Sequence, residues 1–187
     1  NYVLSPTIKQ CKNIFKNIVS AISGSGIIES KNATDLIIKL KTGSEIRFKS
    51  AEQRENLRGE VCTGILCIDE AAYISSDIYN IVKPWTDFHK SVTVMFSTPF
   101  VKSGFFWDYY NYGLNHLYNC VSIDWCDAKY QVDLDYILPQ SRLDEYRAIL
   151  PKNTFLSEYL GEFIDDDGSV FTDFQKCVKH NEIKHTD

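Results

Sequence analysis

Two short apolar runs limit what this chain can become. Gly64-Ile65-Leu66-Cys67-Ile68 and Ser91-Val92-Thr93-Val94-Met95-Phe96 are each about one strand long, and each stops abruptly in polar residues. The first is apolar on both sides of the pleat, which predicts a central strand buried on both faces. The second reads the same way. Helical patterns separate such runs here, so the sequence predicts an α/β fold with a mainly parallel central sheet flanked by helices. With 187 residues there is room for one domain of ordinary size. A composition of 44% hydrophobic and 24% charged residues supports a packed core rather than disorder. No apolar run exceeds six residues, which excludes a membrane-spanning helix. The chain opens on Asn1 and passes at once into Tyr2-Val3-Leu4, with no basic-then-apolar leader, and so reads as a strand entered mid-fold in a longer protein.

The remaining elements follow from local signals. Ser5-Pro6-Thr7 marks a helix start, and Ile8, Cys11, Ile14, Phe15, Ile18, Val19 and Ile22 recur at helical spacing behind it, ending near Ser23-Gly24-Ser25-Gly26. Asp35–Leu40 and Glu45–Lys49 flank Lys41-Thr42-Gly43-Ser44 as a β-hairpin. Further helices are predicted from Ser76 to Phe88, Phe105 to Leu114, Pro139 to Leu150 and Lys152 to Leu160, and a strand from Leu117 to Asp124. Residues 50 to 60 read as a loop, and the tail from Asp165 as an acidic, solvated linker.

Charge and cysteines narrow the function classes. The net charge of −5 disfavours a protein that coats nucleic acid. The charge is uneven: residues 1–60 hold ten Lys/Arg against six Asp/Glu, and residues 61–187 hold ten against nineteen. Lys39, Lys41, Arg47, Lys49, Arg54 and Arg58 therefore read as a solvated hairpin face or a local basic surface. The six cysteines contain no CxxC pair, which points to a reducing compartment rather than a disulfide scaffold. Cys177, His180 and His185 match no usual zinc spacing.

The chemistry is concentrated at the two strand ends. Ile65–Ile68 runs into Asp69-Glu70, which delivers two carboxylates to the carboxyl edge of the sheet, where open α/β proteins bind ligands. In a nucleotide-hydrolysing site the first carboxylate can hold Mg²⁺ through its water shell, and the second can orient and deprotonate a water. The second strand runs into Ser97-Thr98-Pro99, where hydroxyls can meet a terminal phosphate or the attacking water and Pro99 turns the chain away. Taken singly, each end also suits an ordinary polar loop. Because the two terminate consecutive strands separated by one helix, they are expected side by side, as in P-loop ATPases with an extra catalytic glutamate.

Taken in order, these elements resemble the large subunit of the phage terminase, the motor that packages viral DNA. Tyr2 to Gln10 is similar to the strand and helix start that follow the P-loop helix in that family. Leu57-Arg58-Gly59 resembles its Arg-Gly element, Ile65 to Ala71 its Walker B strand, and Phe96 to Pro99 its coupling motif. Phe155, Glu158, Tyr159, Gly161, Glu162, Phe163, Asp167, Gly168, Val170 and Phe171 are similar to the stretch joining the ATPase to the nuclease. The resemblance implies a P-loop NTPase fold (RecA/ASCE-like) with a β-hairpin insertion. Residues 1–164 would be the ATPase domain, and 165–187 a linker toward an absent C-terminal nuclease. It implies ATP and Mg²⁺ as cofactors of the intact protein only, with Asp69 associated with the ion, Glu70 activating water, Ser97 and Thr98 at the nucleotide, Pro99 in coupling and Arg58 as an arginine finger. It further implies double-stranded DNA, a portal protein and a small terminase subunit as partners, and the bacterial host cytoplasm as the location. The intact motor would be a ring homo-oligomer, whereas a fragment lacking part of its own nucleotide site is compatible with a monomer.

One departure is decisive for activity. No GxxxxGK[ST] segment occurs, and Gly24-Ser25-Gly26 lacks the lysine and follows a helix rather than a strand. Such a loop supplies the backbone N–H groups and the lysine that bind the phosphates. In the family it lies upstream of the position where this chain begins, so the isolated chain is expected to lack turnover. Two alternatives share the layout: a helicase-like DNA translocase fragment, and a non-catalytic α/β domain that binds DNA or a partner.

Overall fold

A computed structural model describes residues 1–87, 89, 91–114 and 139–165. Among the described residues six strands form one sheet: β1 (Tyr2–Ser5), β2 (Ile28–Asn32), β3 (Ile37–Leu40), β4 (Glu45–Ser50), β5 (Ile65–Ile68) and β6 (Val92–Met95). Their order is β2-β3-β4-β1-β5-β6. The pairs β4–β1, β1–β5 and β5–β6 are parallel, whereas β2–β3 and β3–β4 are antiparallel. The predicted hairpin is β3–β4, and its second strand also joins the parallel core through β1. β2 is an added strand that the sequence reading misses, because Ile28–Asn32 is polar and largely exposed. β3 begins at Ile37 rather than Asp35, since Leu36 holds a left-handed backbone (φ 53°) in the preceding turn.

Helix α1 (Ile8–Ile22) covers one face. Thr7 caps it: its hydroxyl accepts the Gln10 N–H, and the Gln10 side chain accepts the Thr7 N–H. A short 3₁₀ turn follows, and Gly26 ends it in the left-handed region. Cys11 and Phe15 pack with Val3, Leu36, Ile38 and Phe48 beneath the helix. Helices α2 (Ser76–Val82), α3 (Pro84–Asp87) and α4 (Gly104–Leu114) occupy the other face. There Leu4, Leu57, Leu66, Ile68, Val82 and Trp85 form the larger core. The single helix expected from Ser76 to Phe88 divides at Lys83, because Pro84 donates no N–H and crowds the preceding turn. α5 (Gln140–Ile149) and α6 (Lys152–Leu160) are divided by Pro151 as expected. The predicted strand 117–124 and the linker beyond Asp165, with Asp167, Gly168, Val170, Phe171, Cys177, His180 and His185, lie outside the described residues.

Two strands are less buried than their sequence predicts. Ile65, Cys67, Val92 and Val94 share the α1 side of the sheet, but α1 reaches only as far as Cys67. Ile65 remains 48% exposed and Val92 58%, and Phe96 beyond the end of β6 is 54% exposed. Among the described residues nothing covers this face, and β6 is one of the two edge strands of the sheet they form. Continuous apolar character signals burial on both sides, yet only Leu66 and Ile68 are fully enclosed on β5.

The basic surface is partly spent on internal pairing. Lys49 meets Glu60 at 2.5 Å, Arg47 pairs with Glu45, and the Tyr2 hydroxyl donates to Glu60 at 2.6 Å. Burial pushes the Glu60 carboxyl up, but Lys49, Tyr2 and Arg47 together outweigh it and hold it below the usual range. No helix of the described residues is long and apolar enough to cross a membrane.

The two faces of β5 should differ sharply in tolerance. Ile68→Ala, in the enclosed face, is expected to cost about 2–5 kcal/mol in urea unfolding. Ile65→Ala, in the open face, should cost under about 1 kcal/mol. Equal losses would mean that the α1 side of β5 is covered.

Candidate functional site at the carboxyl edge of the sheet

β5 and β6 pair in parallel with Ile68 opposite Met95, so both chains leave the sheet at the same edge. The ladder continues past the strands: Asp69 N–H donates to the Leu4 carbonyl at 2.8 Å, and Phe96 N–H donates to the Ile68 carbonyl at 2.9 Å. Asp69 is thus still held in register, while Glu70 turns into the left-handed region (φ 52°, ψ 46°). That conformation is uncommon for a residue with a Cβ, and here it swings the second carboxylate out of the strand direction. A 3₁₀ turn over Ala71–Tyr73 follows, anchored by the Ala71 N–H on the Phe96 carbonyl at 2.9 Å.

The two strand ends meet directly. Ser97 Oγ donates to Glu70 Oε2 at 3.3 Å and accepts the Ala72 N–H at 3.2 Å. Thr98 is half-buried beside it and makes no side-chain hydrogen bond among the described residues. The Pro99 carbonyl accepts a hydrogen bond from the buried Ser157 hydroxyl of α6. Asp69, Glu70, Ser97, Thr98 and Pro99 are therefore brought together at one edge.

Arg58 is not part of this cluster. It lies on the segment running back from β4 to the start of β5, between Leu57 and Gly59. Its neighbours fix that segment: Leu57 is fully buried and its carbonyl accepts from Trp85 Nε1 at 3.0 Å, while Glu60 is tied to Tyr2 and Lys49. Arg58 itself is exposed, with no ion pair among the described residues.

The electrostatics of the edge are unlike those at Glu60. Burial raises the Asp69 carboxyl above its ordinary range. Burial also raises Glu70, the Asp69 charge and more weakly Glu158 add to this, and the Ser97 hydrogen bond opposes it. Neither carboxylate has a basic partner among the described residues. Two adjacent, partly desolvated and uncompensated carboxylates suit a divalent cation. The described residues contain no group of three or more His, Cys, Asp or Glu that would hold a metal unaided. An ion such as Mg²⁺ would thus take most of its ligands from water and phosphate oxygens.

Sequence reasoning misses Ser157 and Glu158 as neighbours of this edge. Glu158 enters it only through a similarity to a linking stretch, and nothing local signals that α6 folds back onto the Pro99 loop.

No family model and no curated protein matches the sequence. Solved structures do match in fold. The ATPase domain of the large terminase of Thermus phage P74-26 superposes with a TM-score of 0.61 at 21% identity, covering 87% of this chain and 76% of that one. An arginine-to-alanine mutant of that domain gives 0.63 at 20% identity over the same shares. The large terminase of another thermophilic bacteriophage gives 0.63 at 13% identity, covering 87% of this chain but 40% of its own length. That second terminase in complex with ADP gives 0.60 at 14% identity, covering 88% of this chain and 40% of its own. The chain has the fold of large terminase ATPase domains and spans less than half of the longer terminase chain.

The raised carboxyls make stability depend on pH with a defined sign. The folded chain holds the Asp69 and Glu70 protons more tightly than the unfolded chain does. Their stabilising contribution is therefore complete below the ordinary carboxylate range and is lost as pH rises through the raised values. Glu70→Gln should melt above the parent chain at neutral pH, with the gain vanishing in acid. A thermal scan in which Glu70→Gln is less stable at neutral pH contradicts this electrostatic picture.

Proposed function

We propose that this chain is part of the ATPase domain of a large terminase subunit, an ATP-driven motor that moves double-stranded viral DNA into a procapsid. The observation that carries this reading is the direct contact of Glu70 with Ser97 across parallel strands, within a fold shared with terminase ATPase domains. The ADP complex of the second phage terminase supports a nucleotide as the ligand.

In this reading Asp69, still in strand register, would hold the water shell of Mg²⁺, and the ion would neutralise phosphate charge when bound. Glu70 accepts a proton from the attacking water, and its raised affinity for protons makes it a stronger base than an ordinary carboxylate. Ser97 holds the Glu70 carboxylate in place, and Thr98 offers its hydroxyl toward phosphate or water. Pro99 passes any shift of Ser97 onward to α6 through its carbonyl. Arg58 stands apart from its own carboxylate edge on a pinned loop, so as an arginine finger it would serve the site of a neighbouring copy in a ring. A segment carrying a phosphate-binding loop, which these 187 residues do not contain, would pack on the uncovered face of Ile65 and Val92, with the loop itself at the carboxyl edge beyond Phe96, where it completes the pocket. DNA, a portal protein and a small terminase subunit are the partners this function entails.

The test is turnover. The 187-residue chain should hydrolyse no ATP with or without DNA. The same residues joined to an upstream GxxxxGK[ST] segment should hydrolyse it with Mg²⁺, and Glu70→Gln should lower kcat by about 10²–10⁴-fold. Robust Mg²⁺-dependent hydrolysis by the shorter chain, abolished by Glu70→Gln, would place the phosphate site elsewhere within it.

A further inference from the structure

The Pro99 loop is gripped from outside the sheet at several points. Ser157, on α6 and only 5% exposed, donates its hydroxyl to the Pro99 carbonyl. Gly161 ends α6 in the left-handed region and turns the chain back toward the same loop. Ile164 N–H then donates to the Phe100 carbonyl at 2.9 Å, Lys102 N–H donates to the Ile164 carbonyl at 2.9 Å, and Val101 and Ile164 form a parallel bridge. Lys102 Nζ reaches Asp165 at 2.8 Å, an exposed pair of little energetic weight.

On the inner side the same loop has one polar function. Ser97 sits two residues before Pro99 and bridges the Ala72 N–H and the Glu70 carboxylate. Glu70 is in an uncommon backbone conformation, so its side-chain direction depends on such neighbours rather than on strand geometry. At 3.3 and 3.2 Å both Ser97 contacts lie at the long end of the hydrogen-bond range, where a small displacement of the loop breaks them. A buried hydroxyl on a helix interior ordinarily bonds its own helix; Ser157 bonds another segment instead.

We infer that Ser157 is a positioning residue for Glu70: by holding the Pro99 carbonyl it fixes the loop from which Ser97 orients the carboxylate. This deepens the role of the edge and rests on the reading of Glu70 as the functional carboxylate. α6 and the following residues would then do two things, orienting the base and receiving its movement. A change at α6 would reach Glu70 through the Pro99 loop without touching it.

The test follows amide exchange at Ala72, whose N–H reports whether Ser97 is in place, by NMR on the 187-residue chain. The Asp69 and Phe96 amides, held by the sheet ladder, serve as internal references. Ser157→Ala should speed Ala72 exchange by ~5-fold or more relative to those references. Ser157→Thr, which keeps the hydroxyl, should restore the parent rate. If Ser157→Ala does not fold, Ser157→Cys keeps the volume with a weaker donor and should give an intermediate increase. Ala72 exchange that follows the references in every folded variant, with only global stability reduced, would make Ser157 a packing residue and overturn the inference. The measurement needs no nucleotide, so it can fail while the ATPase reading stands, or succeed while that reading fails.

Discussion

Parallel pairing of β5 with β1 on one side and β6 on the other is the constraint on which the rest of the structure depends. Three strands running the same way must end at the same edge, so the residues after Ile68 and Met95 become neighbours whatever their side chains are. Side chains alternate strictly along a strand, so a slip of one residue would exchange the faces of Leu66 and Cys67 and turn Asp69 toward the helix core. The enclosed positions Leu4, Leu66 and Ile68 fix the register against that slip, because exposing them would forfeit the larger core. The site geometry is therefore a consequence of core packing several residues away.

Much of this is legible in the sequence. The strand ends Asp69-Glu70 and Ser97-Thr98-Pro99, the helix behind Thr7 and the break at Pro151 each carry a local signal, and the structure places them as that signal requires. What is not legible depends on neighbours. β2 carries no apolar alternation, so only its pairing with β3 makes it a strand. The sequence overstates the burial of Ile65 and Val92, because a run of apolar residues states what a strand could bury, not what is present to bury it. The Ser157 contact joins residues 58 apart and has no sequence signature.

Two groups of acidic residues show how environment separates structural from chemical roles. Glu60 is surrounded by Lys49, Arg47 and the Tyr2 hydroxyl, which stabilise its charge and use it to fix the segment carrying Arg58. Asp69 and Glu70 are partly buried without a basic partner among the described residues, and Glu70 is held by the Ser97 hydroxyl. The first arrangement is complete within the fold. The second leaves negative charge uncompensated among the described residues, the condition under which a bound cation contributes most.

The most direct measurement is the position of a non-hydrolysable ATP analogue, with Mg²⁺, in a structure of these residues joined to an upstream GxxxxGK[ST] segment. The account predicts the terminal phosphate within one bridging water of both the Glu70 carboxylate and the Ser97 hydroxyl, with the loop at the same carboxyl edge of the sheet. A nucleotide bound at any other edge of the sheet, with Asp69 and Glu70 left in solvent, would contradict it.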